Sequence, residues 1–213
     1  MTRSYDPVLV EVIRNELAAV SEEMAIATAR TARSPMVKVG DLTTALTDAD
    51  GRPLGVGEGL GLFMFFSTAE GLVKRIRRKF DPEISPGDVF IVNDPYEGAS
   101  HLPDLWMAVP HFCGDTLAAF SLMYTHHVDI GGRFPSGQSG QCTETYEEGL
   151  RIPLVKLVDA GKLNKTLMAV VLANVRGSDE YQGDVEGKLT GCWRATQGMN
   201  RVFEKYGLEN FNA

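Results

Sequence analysis

Two apolar runs around a short glycine-containing turn constrain the fold of this chain more than any other feature. The first run is LWMAVPHF (residues 105–112), the second is LAAFSLMYT (residues 117–125), and CGDT (residues 113–116) joins them. Aromatic-rich apolar runs that flank a Gly-Asp turn predict an antiparallel β-hairpin. Pro110 lacks a backbone N–H and therefore predicts an edge position or a bulge in the first strand.

The register of this hairpin follows from its turn. If the first and last residues of the turn pair, Asp104 faces Thr125 and Pro103 faces His126. Directly opposite residues have β-carbons about 4.5–5.5 Å apart. The base of the hairpin is therefore expected to gather polar side chains from the two segments that flank it.

Those flanking segments are rich in histidine and carboxylate. NDPYEGASHLPD (residues 93–104) precedes the hairpin and THHVDIGG (residues 125–132) includes its end; together they contain His101, His126, His127, Asp94, Asp104 and Asp129. Histidine with carboxylate suits a divalent metal such as Mn, Fe or Zn, and we expect four of these residues at one end of the sheet: His101, Asp104, His126 and His127. The alternative is that they are ordinary structural groups, which is the interpretation we favour for His111 in mid-strand.

Composition narrows the class of protein. The chain has 213 residues, 44% of them hydrophobic, and a net charge of −7. The acidic balance argues against a nucleic-acid partner, which requires a basic surface. We expect no membrane association, because no apolar stretch is long enough to span a bilayer and the N-terminus lacks a signal-peptide pattern. Three cysteines without paired spacing predict a reduced, cytoplasmic protein.

The remaining patterns predict helices around the sheet. Apolar residues at three- and four-residue steps predict a long helix over residues 7–33, and further helices are expected over 67–80, 163–175 and 183–206. Ser67 and Glu70 have the spacing of a capping box. Glycines within the last helix, at 187, 191 and 198, predict close packing against a neighbour. The expected fold class is α+β, with a mixed or antiparallel sheet, hairpins, a long N-terminal helix and flanking helices.

The order of the motifs resembles the hydantoinase B family, which includes B-type subunits or domains of N-methylhydantoinases and 5-oxoprolinases and is related to acetone and acetophenone carboxylase subunits. The resemblance rests on DPVLVEVIRNEL, ALTDADG, PGDVFIVNDPYEGASHLPD, HHVDIGG, EEGLRIPLVKL and LANVRG. Members are usually more than twice this length, so residues 1–213 are expected to form one domain, the N-terminal portion of a B-type subunit. Three alternatives stay open for the short length: a split subunit, a truncated product, or a fragment whose C-terminal half another chain supplies.

The resemblance implies a metal site and a partner. It makes His101, Asp104 and His126 the candidate ligands of a divalent metal (Mn, Fe or Zn). His127 and Asp129 are then further ligands or groups that orient an imidazole, and they are the candidates for a catalytic role. ATP would be handled by a hydantoinase A-type partner subunit in a hetero-oligomer, because this chain has no nucleotide-binding motif.

Family members commonly carry a K-E-R-x-D-F-S-like stretch where this chain has KVGDLT (residues 38–43). The glutamate is absent, which leaves Asp41 as the candidate for an additional ligand. The implied function is a subunit of an ATP-dependent, metal-dependent hydrolase of cyclic amides, namely hydantoins, oxoproline or lactams. Two alternatives stay open: a subunit of an ATP-dependent ketone carboxylase, and a non-catalytic assembly subunit.

Overall fold

The computed structural model describes residues 6–56, 68–135 and 139–211, which form an antiparallel sheet between two layers of helices. The strands are β1 (Leu42–Asp48), β2 (Pro53–Val56), β3 (Val89–Val92), β4 (Asp104–Cys113), β5 (Thr116–His126), β6 (Val155–Asp159) and β7 (Lys162–Leu163). The helices are α1 (Pro7–Thr31), α2 (Pro35–Lys38), α3 (Ala69–Phe80), α4 (Thr145–Glu148), α5 (Lys165–Ala173) and α6 (Ser178–Phe211). The strand order is β2-β1-β5-β4-β3-β6-β7, with every neighbouring pair antiparallel. The expected fold class is confirmed.

Helices α1 and α6 pack against each other and cover one face of the sheet, which we call the reverse face. Their close approach depends on glycines of α6. A β-carbon added at Gly191 would lie 2.9 Å from the carbonyl oxygen of Met24, and one at Gly198 would lie 2.6 Å from a methyl of Val20. Both distances are shorter than van der Waals contact, so the predicted close packing at these glycines is confirmed.

Helix α3 covers the opposite face, which we call the front face. Its buried residues Leu72, Val73 and Ile76 pack against a cluster that includes Trp106 and Tyr124 of the central strands. The helix begins at Ala69, and Ser67 lies outside the described residues, so the proposed capping box stays a prediction. No helix in the described ranges combines the length and the apolarity needed to cross a membrane.

The central hairpin of β4 and β5 differs from the predicted register by one residue. Cys113 pairs with Thr116 as expected, but the ladder shifts between His111 and Phe112, where Ala118 on β5 has no partner. The shift is a β-bulge, which places two residues of one strand against one of the other. The predicted pairing of Asp104 with Thr125 is therefore wrong, and the structure pairs Asp104 with His126 instead.

Pro110 lies beside this irregularity in a strand that is paired on both sides. Its partner on β5 is Phe120, whereas the pairing of β4 with β3 extends only to Ala108 opposite Phe90. The proline therefore lies beyond the part of β4 that pairs with β3. Pro110 therefore has an edge position locally and also lies next to the bulge, so both features that the proline predicted occur at this point.

Candidate metal centre

The loop between β3 and β4 carries His101, leads to Asp104 at the start of β4, and is braced by Asn93. The buried Asn93 amide donates to the carbonyls of Leu102 at 2.7 Å and Leu150 at 2.9 Å, and its oxygen accepts from the N–H of Ile152 at 2.6 Å. Asp94 then caps a short 3₁₀ turn by accepting from the N–H of Tyr96 at 2.9 Å. Asp94 thus has a structural role as a turn residue, and the brace fixes the path of the loop toward the sheet.

His101, Asp104 and His126 come together at the base of the hairpin on the front face. His101 Nε2 lies 2.8 Å and His126 Nδ1 lies 3.0 Å from the same oxygen, Asp104 Oδ1, while the Ser100 hydroxyl donates to Oδ2. The two imidazole rings are 5.1 Å apart between centroids. One ligand atom from each of the three residues lies within 4.8 Å of the others, a spacing at which all three can bind one ion.

The carboxylate at the centre of this cluster is held in its charged form. Burial by itself raises the pKa of Asp104, but hydrogen bonds from His101, His126 and Ser100 outweigh burial and lower that pKa to about 2. The same hydrogen bond with Asp104 raises the pKa of His126 above its ordinary value, against the opposing effect of burial. An ionised carboxylate beside two imidazoles is therefore present across the neutral pH range.

The donor set fits a divalent metal of the Mn, Fe or Zn type. Two imidazole nitrogens and one carboxylate oxygen form the combination that such metals accept, and catalytic sites commonly use three protein ligands with an open position. The Asp104 side chain is 2% exposed, whereas the His101 side chain is 32% exposed. The cluster is therefore anchored inside the protein and open to solvent on the His101 side, where a substrate could approach.

Asp41 lies next to the cluster but does not complete it. The residue directly precedes β1, and its carbonyl accepts from the N–H of His126 at 3.2 Å. The pKa of the Asp41 carboxyl is raised overall, because burial and the nearby Asp104 outweigh the opposing effect of His126 and His101. Its side chain is not part of the three-residue group whose ligand atoms converge. Asp41 is therefore a neighbour of the centre and not one of its converging ligands.

His127 lies on the reverse face, away from the cluster. It is buried, its ring stacks on Tyr181 of α6 at a centroid distance of 4.1 Å, and its Nε2 lies 3.0 Å from Lys188 Nζ. Burial and the nearby Lys188 hold the pKa of His127 well below its ordinary value. The structure does not bring His127 together with His101, Asp104 and His126.

Asp129 is engaged by the segment that leads into α6. Its Oδ2 accepts from Arg176 Nη1 at 2.8 Å, and its Oδ1 accepts from the N–H groups of Gly131 at 2.8 Å and Arg176 at 3.1 Å. Burial tends to raise the pKa of Asp129, and these bonds lower it. The carboxylate thus ties the HHVDIGG segment to the residues just before α6 and is not part of the cluster.

Sequence reasoning missed Lys188, a fully buried lysine behind the hairpin base. Its amine donates to the carbonyl of Leu105 at 3.0 Å and contacts His127, and burial lowers its pKa to about 7. A signal was available, because α6 buries an apolar stripe at three- and four-residue steps in which this residue is the only lysine: Tyr181, Val185, Lys188, Cys192, Ala195, Met199 and Val202. A charged residue in a core stripe requires buried partners.

The comparisons with known proteins agree with this fold. The sequence matches the family model for hydantoinase B/oxoprolinase over residues 6–213, and the chain belongs to that family. It is 31% identical over 217 residues to the B-type subunit of a putative D-/L-hydantoinase from Pseudomonas sp., covering 99% of this chain and 36% of that protein.

Two solved structures share the fold. The ATP-dependent caprolactamase from Pseudomonas jessenii aligns with a TM-score of 0.87 at 28% identity, over 99% of this chain and 36% of its own. A nucleotide-free acetone carboxylase aligns with a TM-score of 0.88 at 22% identity, over 97% of this chain and 27% of its own, which shows the fold alone. The chain spans only 36% of the length of several curated relatives that it matches.

Proposed function

We propose that this chain is the metal-binding portion of an ATP-dependent enzyme that hydrolyses cyclic amides, with hydantoins, 5-oxoproline and lactams as the substrate class. The observation that carries the proposal is the convergence of His101, Asp104 and His126 on one point at the base of the hairpin, on the front face of the sheet. Family membership and the similarity to an ATP-dependent caprolactamase support the choice of reaction class.

His101, Asp104 and His126 would hold the metal, with Asp41 as the candidate for a fourth ligand. When bound, a divalent metal supplies Lewis-acid polarisation of a carbonyl oxygen. The chain's own contribution is to keep the donors in place. Ser100 holds the second oxygen of Asp104, so that Oδ1 stays directed between the two histidines. The partly exposed His101 leaves the solvent side of the cluster open to a small cyclic substrate.

ATP would be used by a partner chain of the hydantoinase A type. The segment GVGEGLG (residues 55–61) contains neither the G-x-x-x-x-G-K-[ST] pattern nor a G-x-G-x-x-G opening a helix after a strand. A cyclic amide is a poor electrophile, and phosphorylation of its oxygen by the partner would make ring opening easier. Residues outside this chain would complete such a complex, either on the partner or on a chain that supplies the remainder of the B-type length.

Metal analysis of the purified protein tests the proposal. Plasma mass spectrometry should find about one equivalent of Mn, Fe or Zn in the wild type and none in His126→Ala. Asp50→Asn is the matched control, because Asp50 is an exposed carboxylate, paired with Arg77 and placed away from the cluster. Wild-type protein that stays metal-free after reconstitution, or equal metal in His126→Ala, would contradict the metal site and favour an assembly role.

Activity of the reconstituted complex decides the reaction. The chain is combined with an A-type subunit and any chain that completes it, and ATP-dependent opening of hydantoin, 5-oxoproline and caprolactam rings is measured beside ATP-dependent carboxylation of acetone and acetophenone. Ring opening that is lost in His101→Ala is the expected result. Carboxylation without ring opening would instead support the ketone-carboxylase alternative.

A further inference from the structure

Lys188 bridges the two strands that carry the candidate ligands, from the reverse face of the sheet. Its amine bonds the carbonyl of Leu105 at 3.0 Å and lies 3.0 Å from Nε2 of His127. Leu105 directly follows Asp104 on β4, and His127 directly follows His126 at the end of β5. One buried side chain of α6 thus contacts the immediate neighbours of two of the three candidate ligands.

The chemistry of the three groups makes this bridge specific. The Leu105 carbonyl is an acceptor only, and a neutral His127 can accept at Nε2 when its proton is on Nδ1. An amine can donate to both acceptors whether it is charged or neutral, because even the neutral form has two N–H bonds. Lys188 is 0% exposed, so its amine makes these bonds away from bulk solvent, and its loss would leave both acceptors without this donor.

We propose that Lys188 is a positioning residue for the metal centre, which fixes the separation of Asp104 and His126 by tying together the residues that follow them. This inference rests on the metal site proposed above. Groups that orient ligands from outside the coordination shell typically change metal affinity by about 10–100-fold. The bridge differs from such groups in acting on the backbone of the ligand-bearing strands rather than on a ligand side chain.

The first test removes the amine and keeps an unbranched side chain that is one heavy atom shorter. Lys188→Met should raise the dissociation constant for Zn²⁺ by about tenfold or more and should change the visible absorption spectrum of the Co²⁺-loaded protein. Lys156→Met is the matched control. Lys156 is partly buried and bridges Asp88, Asp159 and the Glu83 carbonyl, but its bonds are made around β6 rather than at the hairpin base. Its removal should leave Zn²⁺ affinity and the Co²⁺ spectrum unchanged.

A second pair of variants keeps the test decisive if Lys188→Met does not fold. His127→Gln retains an acceptor for the amine and loses the aromatic ring, whereas His127→Phe retains a ring to stack on Tyr181 and loses the acceptor. Positioning through the hydrogen bond predicts that the Phe variant loses Zn²⁺ affinity and the Gln variant largely keeps it. A role confined to packing predicts the reverse order.

The outcomes separate the two proposals. Wild-type protein that binds no Zn²⁺ or Co²⁺ would overturn both the metal site and the role of Lys188. Wild-type binding with the same affinity and the same Co²⁺ spectrum in Lys188→Met would overturn only the positioning role. Equal losses in Lys188→Met and Lys156→Met, or weaker binding by the Gln than by the Phe variant, would also overturn it.

Discussion

Two adjacent histidines lie on opposite faces of the sheet and in opposite environments. On the front face, His126 bonds a carboxylate, is partly open to solvent, and has a raised pKa. On the reverse face, His127 is buried between Tyr181 and Lys188, and its pKa is well below the ordinary value. One histidine is suited to bind a cation beside a carboxylate, and the other is suited to serve as a neutral hydrogen-bonding group in the core.

The difference follows from strand geometry rather than from residue type. Successive residues at the end of a strand direct their side chains to opposite faces. A one-residue change of register would therefore exchange the two histidines. The pairing predicted from the turn puts Asp104 opposite Thr125, which would place His127 on the face of Asp104. The bulge at His111 and Phe112 shifts the pairing and makes His126 the partner.

The largest effect is expected from Asp104→Asn, which tests whether the front face depends on its carboxylate. The substitution keeps the shape of the side chain but removes the charge that both histidines contact. Metal content should fall below detection. Affinity for Zn²⁺ should fall by more than the roughly 100-fold loss that follows removal of a group outside the coordination shell. Equilibrium dialysis against Zn²⁺ measures this, and one retained equivalent would remove the front face as the metal site.

A second test compares the helices that cover the two faces. Gly191→Ala on α6 adds a β-carbon 2.9 Å from the Met24 carbonyl oxygen and 2.8 Å from the Met123 methyl, so it should lower the free energy of unfolding by about 1–3 kcal/mol. Gly71→Ala on α3 is the control. It has no atom within 4 Å of the new β-carbon, and it should stabilise the protein by about 0.5–1 kcal/mol through helix propensity. Urea unfolding measures both, and equal effects would contradict the tighter packing of the reverse face.

The pH dependence of the metal-free protein distinguishes the charged front face from the neutral reverse face. Asp104 has a folded-state pKa of about 2 against an ordinary value of 3.8. Its stabilising contribution is therefore present above about pH 4 and is lost as pH falls through about 2, a change of roughly 2 kcal/mol. Urea unfolding at a series of acid pH values should show this loss in the wild type and a flatter profile in Asp104→Asn. Identical profiles would contradict the depressed pKa.

The raised pKa of His126 has the opposite effect on the pH dependence of stability. Its contribution to the stability of the metal-free protein is present below the ordinary histidine pKa and is lost as pH rises through the raised folded value. The wild type should therefore lose a small increment of stability on the alkaline side of that value. His126→Gln should remove the increment when the same unfolding series is extended upward.

The smallest effect is expected from Asp41→Asn, which tests how far the front-face centre extends. Asp41 influences the cluster through its charge but is not among the converging ligands. A neighbouring charge of this kind should change Zn²⁺ affinity by about tenfold, well short of the change in Asp104→Asn. Isothermal titration with Zn²⁺ measures it. A loss as large as that in Asp104→Asn would make Asp41 a full ligand and enlarge the centre to four residues.

Much of the fold and the position of the candidate centre were predictable from short-range pattern. The hairpin, helices α1 and α3, and the placement of His101, Asp104 and the adjacent histidines 126 and 127 at one end of the sheet follow from apolar periodicity, turn residues and motif spacing. The preference for His126 as a ligand came from the family resemblance. The bulge was only partly predictable, because Pro110 indicated an irregularity without indicating its place. The contacts of Lys188 were not predicted, because its partners, Leu105 and His127, are 83 and 61 residues away in sequence.

The sequence by itself determined the elements and the end of the sheet at which the candidate ligands lie, because turns, caps and periodicities act within a few residues. Only the tertiary structure decided which of two adjacent histidines joins Asp104. That choice depends on a single unpaired residue, Ala118, and on the packing of α6 behind the sheet. Side-chain direction alternates with every residue along a strand, so a local pattern that is correct to within one residue still leaves the face of each histidine undecided.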